Sequence, residues 1–275
     1  MILLRFMSIL PLWLIHGLGW ALGWVVFVFS PVYRKRLMAN AQQAGIRRSA
    51  WLRSVGQAGR LACELPRLWL GQAVPIVWQG AEHVQAAMGL GKGIVFLTPH
   101  LGCFEITAQA YAQRFGGLQP VTVMFRPARQ EWLNQLIQTV RDRAGLITVP
   151  TKLSGVKQML KALRGGQSVG LLPDQVPPQG QGVWVPFFDR EAYTMSLSVR
   201  LIQQTGATVL LIWGERRPWG RGYVIRVTPF DAVLADDLPT AAWQINQAME
   251  RLIAQCPQQY LWSYARYKQP RQDPN

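Results

Sequence analysis

The chain has 275 residues, of which 49% are hydrophobic and only 16% are charged, whereas about 25% charged residues is usual in soluble proteins. This low charge excludes a disordered protein and a coiled coil, because both classes need more charged residues. The 29 basic residues exceed the 14 acidic ones, which gives a net charge of +15. Such a surplus indicates an anionic partner: a nucleic acid, an acidic protein or a membrane surface.

The N-terminal stretch Phe6–Phe29 is almost wholly apolar and carries no charge. As one helix at about 1.5 Å per residue it would be roughly 36 Å long, enough to cross a hydrocarbon core of about 30 Å. Trp13, Trp20 and Trp24 fall near one helical face, where their rings can meet lipid headgroups. We predict a membrane helix within residues 1–30 that spans the bilayer or lies in its interface. A cleaved signal peptide is the alternative, but it would have a shorter apolar core, of about 7–15 residues, and a small-x-small cleavage site. Neither feature is evident in this stretch.

Positive charge follows this apolar stretch. Residues 1–60 contain no acidic residue and these eight basic ones: Arg5, Arg34, Lys35, Arg36, Arg47, Arg48, Arg53 and Arg60. Positive residues beside a membrane helix mark the cytoplasmic side, and each gains about 1 kcal/mol from anionic lipid. We predict a basic juxtamembrane region over residues 31–72, helical over 37–70 with a break near Pro66. No sequence motif typical of nucleic-acid binding is present, so no nucleic-acid partner is predicted.

Residues 73–269 alternate short β-branched segments with amphipathic ones, which is typical of an α/β domain with a mixed or parallel sheet flanked by helices. The predicted strands are Ile94–Thr98, Val121–Phe125, Leu146–Val149, Ser168–Leu172, Thr208–Trp213 and Tyr223–Val227. The predicted helices are Glu82–Leu90, Cys103–Phe115, Gln130–Ala144, Leu153–Arg164, Met195–Gln204 and Pro239–Gln255. Gly-Gly pairs at 116–117 and 165–166 support two of the helix ends. Residues 270–275 form a tail.

Candidate catalytic residues lie where the first strong strand ends. In open α/β sheets, ligands bind outside the carboxyl ends of strands, and His100 lies at such an end. Glu105 follows in the first turn of the next predicted helix, within reach of the His100 ring. A carboxylate on one ring nitrogen fixes the tautomer, which leaves the other nitrogen free to take a proton from a hydroxyl. A capping or core histidine is the alternative interpretation of His100.

The three cysteines are too few and too scattered for a disulfide framework or a zinc site, which fits a reducing setting. No metal and no cofactor are predicted. One of the three, Cys103, could offer a rival mechanism through an acyl-enzyme, because a thiol near a histidine and a helix N-terminus can have a low pKa.

Several segments resemble the bacterial lipid A biosynthesis acyltransferases of the lysophospholipid acyltransferase superfamily. The first is the His-x4-Glu pattern at His100–Glu105. The others, in the same order as in the family, are Val123–Pro127, Arg141–Gly145, Leu172–Gln175, Val185–Phe188 and Trp262–Lys268. The chain departs from the family at Cys103-Phe104, where Asn-Trp is usual, and at Asp189, where Gly is usual.

The resemblance implies a fold like that of glycerol-3-phosphate acyltransferase and transfer of a fatty acyl chain from acyl carrier protein, or acyl-CoA, to a hydroxyl of a lipid A precursor. It implies His100 as general base, assisted by Glu105, with Arg126, Arg141 and Asp174 as substrate-binding residues. Arg143 is equally well a surface arginine. The implied location is the bacterial inner membrane, with the catalytic domain on the cytoplasmic side.

Other functions stay open. An acyltransferase of the same fold could act on a lysophospholipid or another glycolipid, and a His–Glu pair could also activate water in a hydrolase. A non-catalytic adaptor tethered to the membrane could use the basic stretch to recruit acidic partners. The segment Val183–Phe188 either lines an acyl-chain pocket or forms a buried strand.

Overall fold

The computed structural model describes residues 2–125 and 144–272. The N-terminal part is helical, and its helices are α1 (Ile2–Ile9), α2 (Leu12–Phe29), α3 (Pro31–Gln43) and α4 (Arg48–Leu70). The apolar stretch Phe6–Phe29 is not one continuous helix, as its length suggested, because Pro11 is extended and separates α1 from α2. At about 1.5 Å per residue, α2 is only about 27 Å long. It is still apolar and long enough to cross a membrane, the one such helix in the described part of the chain.

The predicted break near Pro66 is also wrong, because α4 continues through Pro66 to Leu70. A proline inside a helix removes one backbone hydrogen bond and usually kinks the helix. Here Pro66 is buried close to the helix end, beside the buried Leu68. Burial of these two residues is consistent with a last turn that stays helical despite the proline. The chain breaks earlier, between α3 and α4, where Gly45 adopts a positive φ of 65°.

The remaining residues form an α/β fold. Its strands are β1 (Ile76–Gln79), β2 (Ile94–Leu97), β3 (Val121–Phe125), β4 (Leu146–Pro150), β5 (Ser168–Leu171), β6 (Gly182–Phe187), β7 (Arg190–Met195), β8 (Thr208–Arg216) and β9 (Tyr223–Pro229). Its helices are α5 (Ala81–Gly89), α6 (Phe104–Phe115), α7 (Leu153–Arg164), α8 (Leu197–Thr205) and α9 (Leu238–Gln255). The predicted helix Gln130–Ala144 lies, apart from Ala144, outside the described residues.

Seven strands form one mixed sheet in the order β1-β9-β8-β2-β5-β3-β4. All neighbours in it are parallel except β8 and β9, which are antiparallel. The predicted mixed sheet flanked by helices is therefore confirmed. Sequence patterns missed β1 and β7, which are short or largely polar.

The central strand β2 is buried on both faces, so its alternate side chains enter two separate cores. Ile94 and Phe96 pack in the core that contains residues of α5 and α6. Val95 and Leu97 pack in the core that contains residues of α7, α8 and α9. Burial on both faces makes β2 a rigid support for the loop that follows Leu97.

β6 and β7 form a separate antiparallel hairpin. The residues between them, Phe188 and Asp189, have φ values of 48° and 59°. This is the left-handed region that two-residue hairpin turns use and that glycine and aspartate tolerate best. The hairpin therefore explains why aspartate can stand where glycine is usual. In the segment Val183–Phe188, Val185 and Phe187 are buried and Trp184 is 42% exposed, so it forms a strand with one buried face, which is closer to the strand alternative than to the pocket one.

Close packing joins α2 to α4. Glycines line both sides of the contact, and a Cβ atom at Gly19 would lie 2.6 Å from the Cα of Arg60. A Cβ at Gly59 would overlap the carbonyl oxygen of Gly19. The two helix backbones therefore touch, so α2 packs directly against α4.

We expect Gly59→Ala to destabilise the protein by about 1–3 kcal/mol, because the added methyl group must push α2 away from α4. Alanine favours a helix over glycine by about 1 kcal/mol, so intrinsic propensity acts in the opposite direction. Thermal unfolding in detergent measures the change. Gly17→Ala is the matched control, since a Cβ there meets nothing within 4 Å. An equal or higher melting temperature for Gly59→Ala would contradict the close packing.

Candidate active site

His100 lies in the loop between β2 and α6, three residues beyond the end of the strand. Its Nδ1 atom lies 2.7 Å from Oδ1 of Asp174. Its backbone N–H donates to Oδ2 of the same carboxylate at 2.8 Å, and the Tyr260 hydroxyl donates to Oδ2 at 3.2 Å. The carboxylate of Asp174 therefore fixes both the ring and the backbone of His100.

Sheet topology explains this pairing. β2 and β5 are parallel neighbours, with Leu97 opposite Leu171 in their register. Asp174 and His100 each lie three residues beyond these paired strand ends, so both emerge at the same edge of the sheet. The two residues meet although 74 positions separate them in the sequence.

Asp174 is buried and ionised. Burial alone would raise its pKa, but the electrostatic interaction with the His100 ring and the hydrogen bonds from that residue hold the pKa of Asp174 below its ordinary value. An ionised carboxylate can only accept hydrogen bonds, so Nδ1 of His100 carries the ring proton. The other ring nitrogen, Nε2, is then a lone-pair acceptor.

Nε2 of His100 lies 2.9 Å from Nε2 of Gln175, whose amide donates to it. The basic nitrogen therefore points away from Asp174 and already accepts a hydrogen bond from a neutral donor. A substrate hydroxyl could take the place of the Gln175 amide with the same donor geometry. Gln175 lies within a segment that carries the family resemblance, but its contact with His100 has no local sequence signal.

His100 opens onto a cavity of about 1060 Å³. Much of its lining is apolar, and these residues include Phe96, Phe104, Met124, Leu153, Val156, Pro177 and Leu197. Basic side chains also line it: Lys152, Arg200, Lys268 and Arg271. This combination suits a long apolar chain that carries an anionic group at one end.

Glu105 lines the same cavity as His100, on the first turn of α6. Its carboxylate accepts a hydrogen bond from the Trp69 indole at 3.4 Å. Both ring nitrogens of His100 are engaged by residues other than Glu105, so the structure gives the ring a different carboxylate partner from the predicted one. The sequence favoured Glu105 because spacing along the chain can pair His100 only with residues close to it in sequence, whereas Asp174 is 74 positions away. The predicted residues Arg126, Arg141 and Arg143 lie outside the described residues.

The backbone amides of Gly102 and Cys103 lie close to His100 and could otherwise donate to an oxyanion, but both already bond to backbone carbonyls. The Gly102 N–H donates to the Gln259 carbonyl at 2.9 Å, and the Cys103 N–H donates to the Gly214 carbonyl at 2.8 Å. The rival nucleophile Cys103 is fully buried, and this burial raises the pKa of its thiol well above the ordinary value. A buried thiol that stays protonated is unsuited to form an acyl-enzyme.

The chain matches the family model described as bacterial lipid A biosynthesis acyltransferase over residues 1–269. It is similar to the lipid A biosynthesis lauroyltransferase of Escherichia coli strain K12, at 29% identity over 191 residues, which are 69% of this chain and 60% of that protein. It is also similar to the myristoyltransferase of lipid A biosynthesis from the same organism, at 27% identity over 190 residues (67% of this chain and 56% of that protein).

A third relative is the phosphatidylinositol mannoside acyltransferase of Mycobacterium tuberculosis, at 29% identity over 181 residues, which are 62% of this chain and 55% of that protein. The matched region thus covers between half and two thirds of the length of each of these relatives. The family match, in contrast, covers this chain almost from end to end. The chain belongs to the bacterial lipid A biosynthesis acyltransferase family.

Proposed function

We propose that this protein transfers a fatty acyl chain from acyl carrier protein, or from acyl-CoA, to a hydroxyl of a lipid A precursor. The observation that supports it is the pair formed by the buried Asp174 and His100, which lines a cavity with apolar and basic walls. We further infer that the fold is like that of glycerol-3-phosphate acyltransferase.

The reaction follows from the tautomer of His100. The acceptor hydroxyl donates to Nε2 in place of the Gln175 amide, and its oxygen attacks the thioester carbonyl carbon while Nε2 takes the proton. Asp174 stabilises the imidazolium that results. The tetrahedral intermediate then expels the thiolate, which takes the proton back from Nε2, so that the histidine returns to its starting state.

Other residues bind the substrates in this proposal. Glu105 remains a proposed site residue, on the wall of the same cavity as His100. Arg126 and Arg141 are proposed to bind the phosphate of the acceptor, because a guanidinium matches phosphate geometry. Arg200 and Lys268 add positive charge to the cavity, which would attract an acidic carrier protein or the phosphates of either substrate.

A glycolipid other than a lipid A precursor is the second candidate acceptor. It is favoured by the similarity to the phosphatidylinositol mannoside acyltransferase, at the same identity as the lauroyltransferase. The residues of the Asp174–His100 pair would serve both acceptors, since the chemistry at the hydroxyl is the same.

The deciding experiment incubates the full chain with acyl carrier protein or CoA loaded with lauroyl or myristoyl groups. The acceptors are a lipid A precursor with free hydroxyls and a phosphatidylinositol mannoside, and mass spectrometry identifies the products. Acylation of the lipid A precursor is expected. Acylation of the mannoside alone would support the second candidate, release of free fatty acid alone would indicate a hydrolase, and the absence of any product would favour the adaptor.

We propose that the protein works at the cytoplasmic face of the bacterial inner membrane. The outward faces of α2 are apolar, and Trp13 near its start is 61% exposed. A turn lies beside Trp13, because its Gly220 touches the Trp13 backbone. Trp219 belongs to this turn, is 82% exposed, and stands between Arg217 and Arg221 in the sequence. Tryptophan and arginine together suit the headgroup region of an anionic membrane.

We expect the double variant Trp13→Ser, Trp219→Ser to bind vesicles with anionic lipid at least about 10-fold more weakly, because burial of one large apolar side chain contributes about 1.5–3 kcal/mol. Flotation of the protein with vesicles measures the binding. Trp243→Ser on α9, where Trp243 is 41% exposed, is the control. Equal losses in the two proteins would show that these tryptophans have no special contact with lipid.

A further inference from the structure

A buried ionic network lies behind the catalytic loop. At its centre is Glu64 of α4, which is fully buried. Arg216, at the end of β8, donates to it from Nη2 at 2.6 Å and from Nε at 2.9 Å. The Tyr223 hydroxyl donates to Oε2 at 2.9 Å. Burial alone would raise the pKa of Glu64, but the charge of Arg216 lowers it to about 2, so this carboxylate is ionised.

The network reaches the loop that carries His100. Nη2 of Arg216 also donates to the carbonyl of Gly102 at 2.8 Å. Gly102 has a positive φ of 60°, and a Cβ there would overlap the Gly214 carbonyl. Gln259 completes the clamp, because its carbonyl accepts the Gly102 N–H while its side chain bonds to the backbone of Arg216 at 2.9 and 3.1 Å. The residue two positions after His100 is therefore held on both sides.

The network also includes α2. Nε2 of His16 lies 3.0 Å from Oε2 of Glu64, and it must donate because the carboxylate is ionised. The Arg60 guanidinium donates to the His16 carbonyl at 3.1 Å. Glycines let α2 pack closely on α4, which brings His16 into contact with Glu64. A continuous path of hydrogen bonds thus leads from α2 through Glu64 and Arg216 to Gly102.

Stability alone does not account for this arrangement. A buried ion pair contributes little net stability, because the loss of hydration offsets most of the attraction between the charges. The Glu64–Arg216 pair has two additional partners. Arg216 donates to Gly102 on the loop that carries His100, and Glu64 accepts a hydrogen bond from His16 of α2.

We propose that His16, Glu64 and Arg216 are positioning residues that hold the Gly102 turn, and through it His100, and that they make this geometry depend on the seating of α2 against α4. The inference rests on the proposed acyl transfer. A displacement of about 1 Å at a catalytic group can lower a rate by about 10²-fold, so a small shift of α2 would be felt in kcat.

The test compares His16→Ala with His16→Gln, whose amide can still donate to Glu64. Arg216→Lys keeps the charge but loses the planar fork that reaches both Glu64 and Gly102. Ser54→Ala is the control, because Ser54 is also buried in α4 and, within the described residues, its hydroxyl donates to the Trp51 carbonyl of its own helix. The full chain in detergent–lipid micelles is assayed for kcat, KM and melting temperature. Hydrogen exchange at the amides of Gly102 and Cys103 is followed by mass spectrometry.

We expect His16→Ala and Arg216→Lys to lower kcat about 10-fold or more with KM changed less than about twofold, and to speed exchange at Gly102 and Cys103. His16→Gln should recover most of kcat, and Ser54→Ala should change neither kcat nor the exchange. Unchanged kcat in a folded His16→Ala variant, or an equal loss in Ser54→Ala, would overturn the proposal.

Exchange at Gly102 and Cys103 does not depend on turnover. If the unsubstituted chain transfers no acyl group, the proposed function fails, and exchange still shows whether His16 and Arg216 hold the turn. If an Arg216→Lys variant fails to fold, the pair His16→Ala and His16→Gln decides the question, because these variants differ in the hydrogen bond that residue 16 can donate to Glu64.

Discussion

Replacing His100 with alanine is expected to lower kcat for acyl transfer by at least about 10²-fold, since the reaction would lose its general base. The cavity would stay intact, because the imidazole forms only part of its wall and Asp174 keeps its bond to the backbone N–H at position 100. KM should therefore change little. Single-turnover transfer from an acyl-loaded carrier protein to the lipid acceptor measures the chemical step directly.

His83→Ala is the matched control, since His83 lies on α5, outside the described lining of the cavity, and should retain full activity. A His100→Ala variant that folds and transfers at the normal rate would refute the role of general base. It would then favour the interpretation of His100 as a core histidine that only braces the loop.

The second large effect is expected for Asp174→Asn, which should lower kcat by about 10²–10⁴-fold. An asparagine can present its amide N–H₂ to Nδ1, so the ring would adopt the opposite tautomer, with the proton on Nε2 and no base facing the cavity. In the histidine–aspartate pair of serine proteases the same substitution drops kcat by about 10⁴-fold for this reason. The pH dependence of kcat, measured for both proteins, separates a changed tautomer from a lost fold.

Glu105→Gln supplies the comparison, because Glu105 lines the same cavity without holding Nδ1. We expect the loss for Asp174→Asn to exceed that for Glu105→Gln. The reverse order would make Glu105 the functional partner of His100 during the reaction.

The acid stability of the protein gives a second check on Asp174, whose pKa is lower in the folded protein than its ordinary value. Such a carboxyl stabilises the fold at pH values above its ordinary pKa. This stabilisation is lost as the pH falls through the pKa of the folded state. Asp174→Asn should therefore flatten the loss of stability below about pH 4.

Local sequence patterns were sufficient for most elements of the sheet. The strands β2, β3, β4, β5, β8 and β9 were all predicted, because β-branched runs between turn residues mark buried strands well. The glycine pairs after α6 and α7 marked both helix ends correctly. The break at Pro11 was missed because the prediction rested on the length of the uninterrupted apolar stretch. Whether a helix stops within such a stretch depends on the backbone conformation at one residue, here Pro11.

The sequence by itself determined that His100 follows a buried strand and that an apolar helix with basic residues behind it precedes the domain. Only the tertiary structure decided that Asp174 holds Nδ1 of His100, that Gln175 bonds Nε2, and that Glu64 links α2 to the Gly102 turn. These contacts join residues 48 to 152 positions apart. The order and register of the strands bring them together, and both depend on how the whole chain packs its two cores, which periodicity along the chain does not encode.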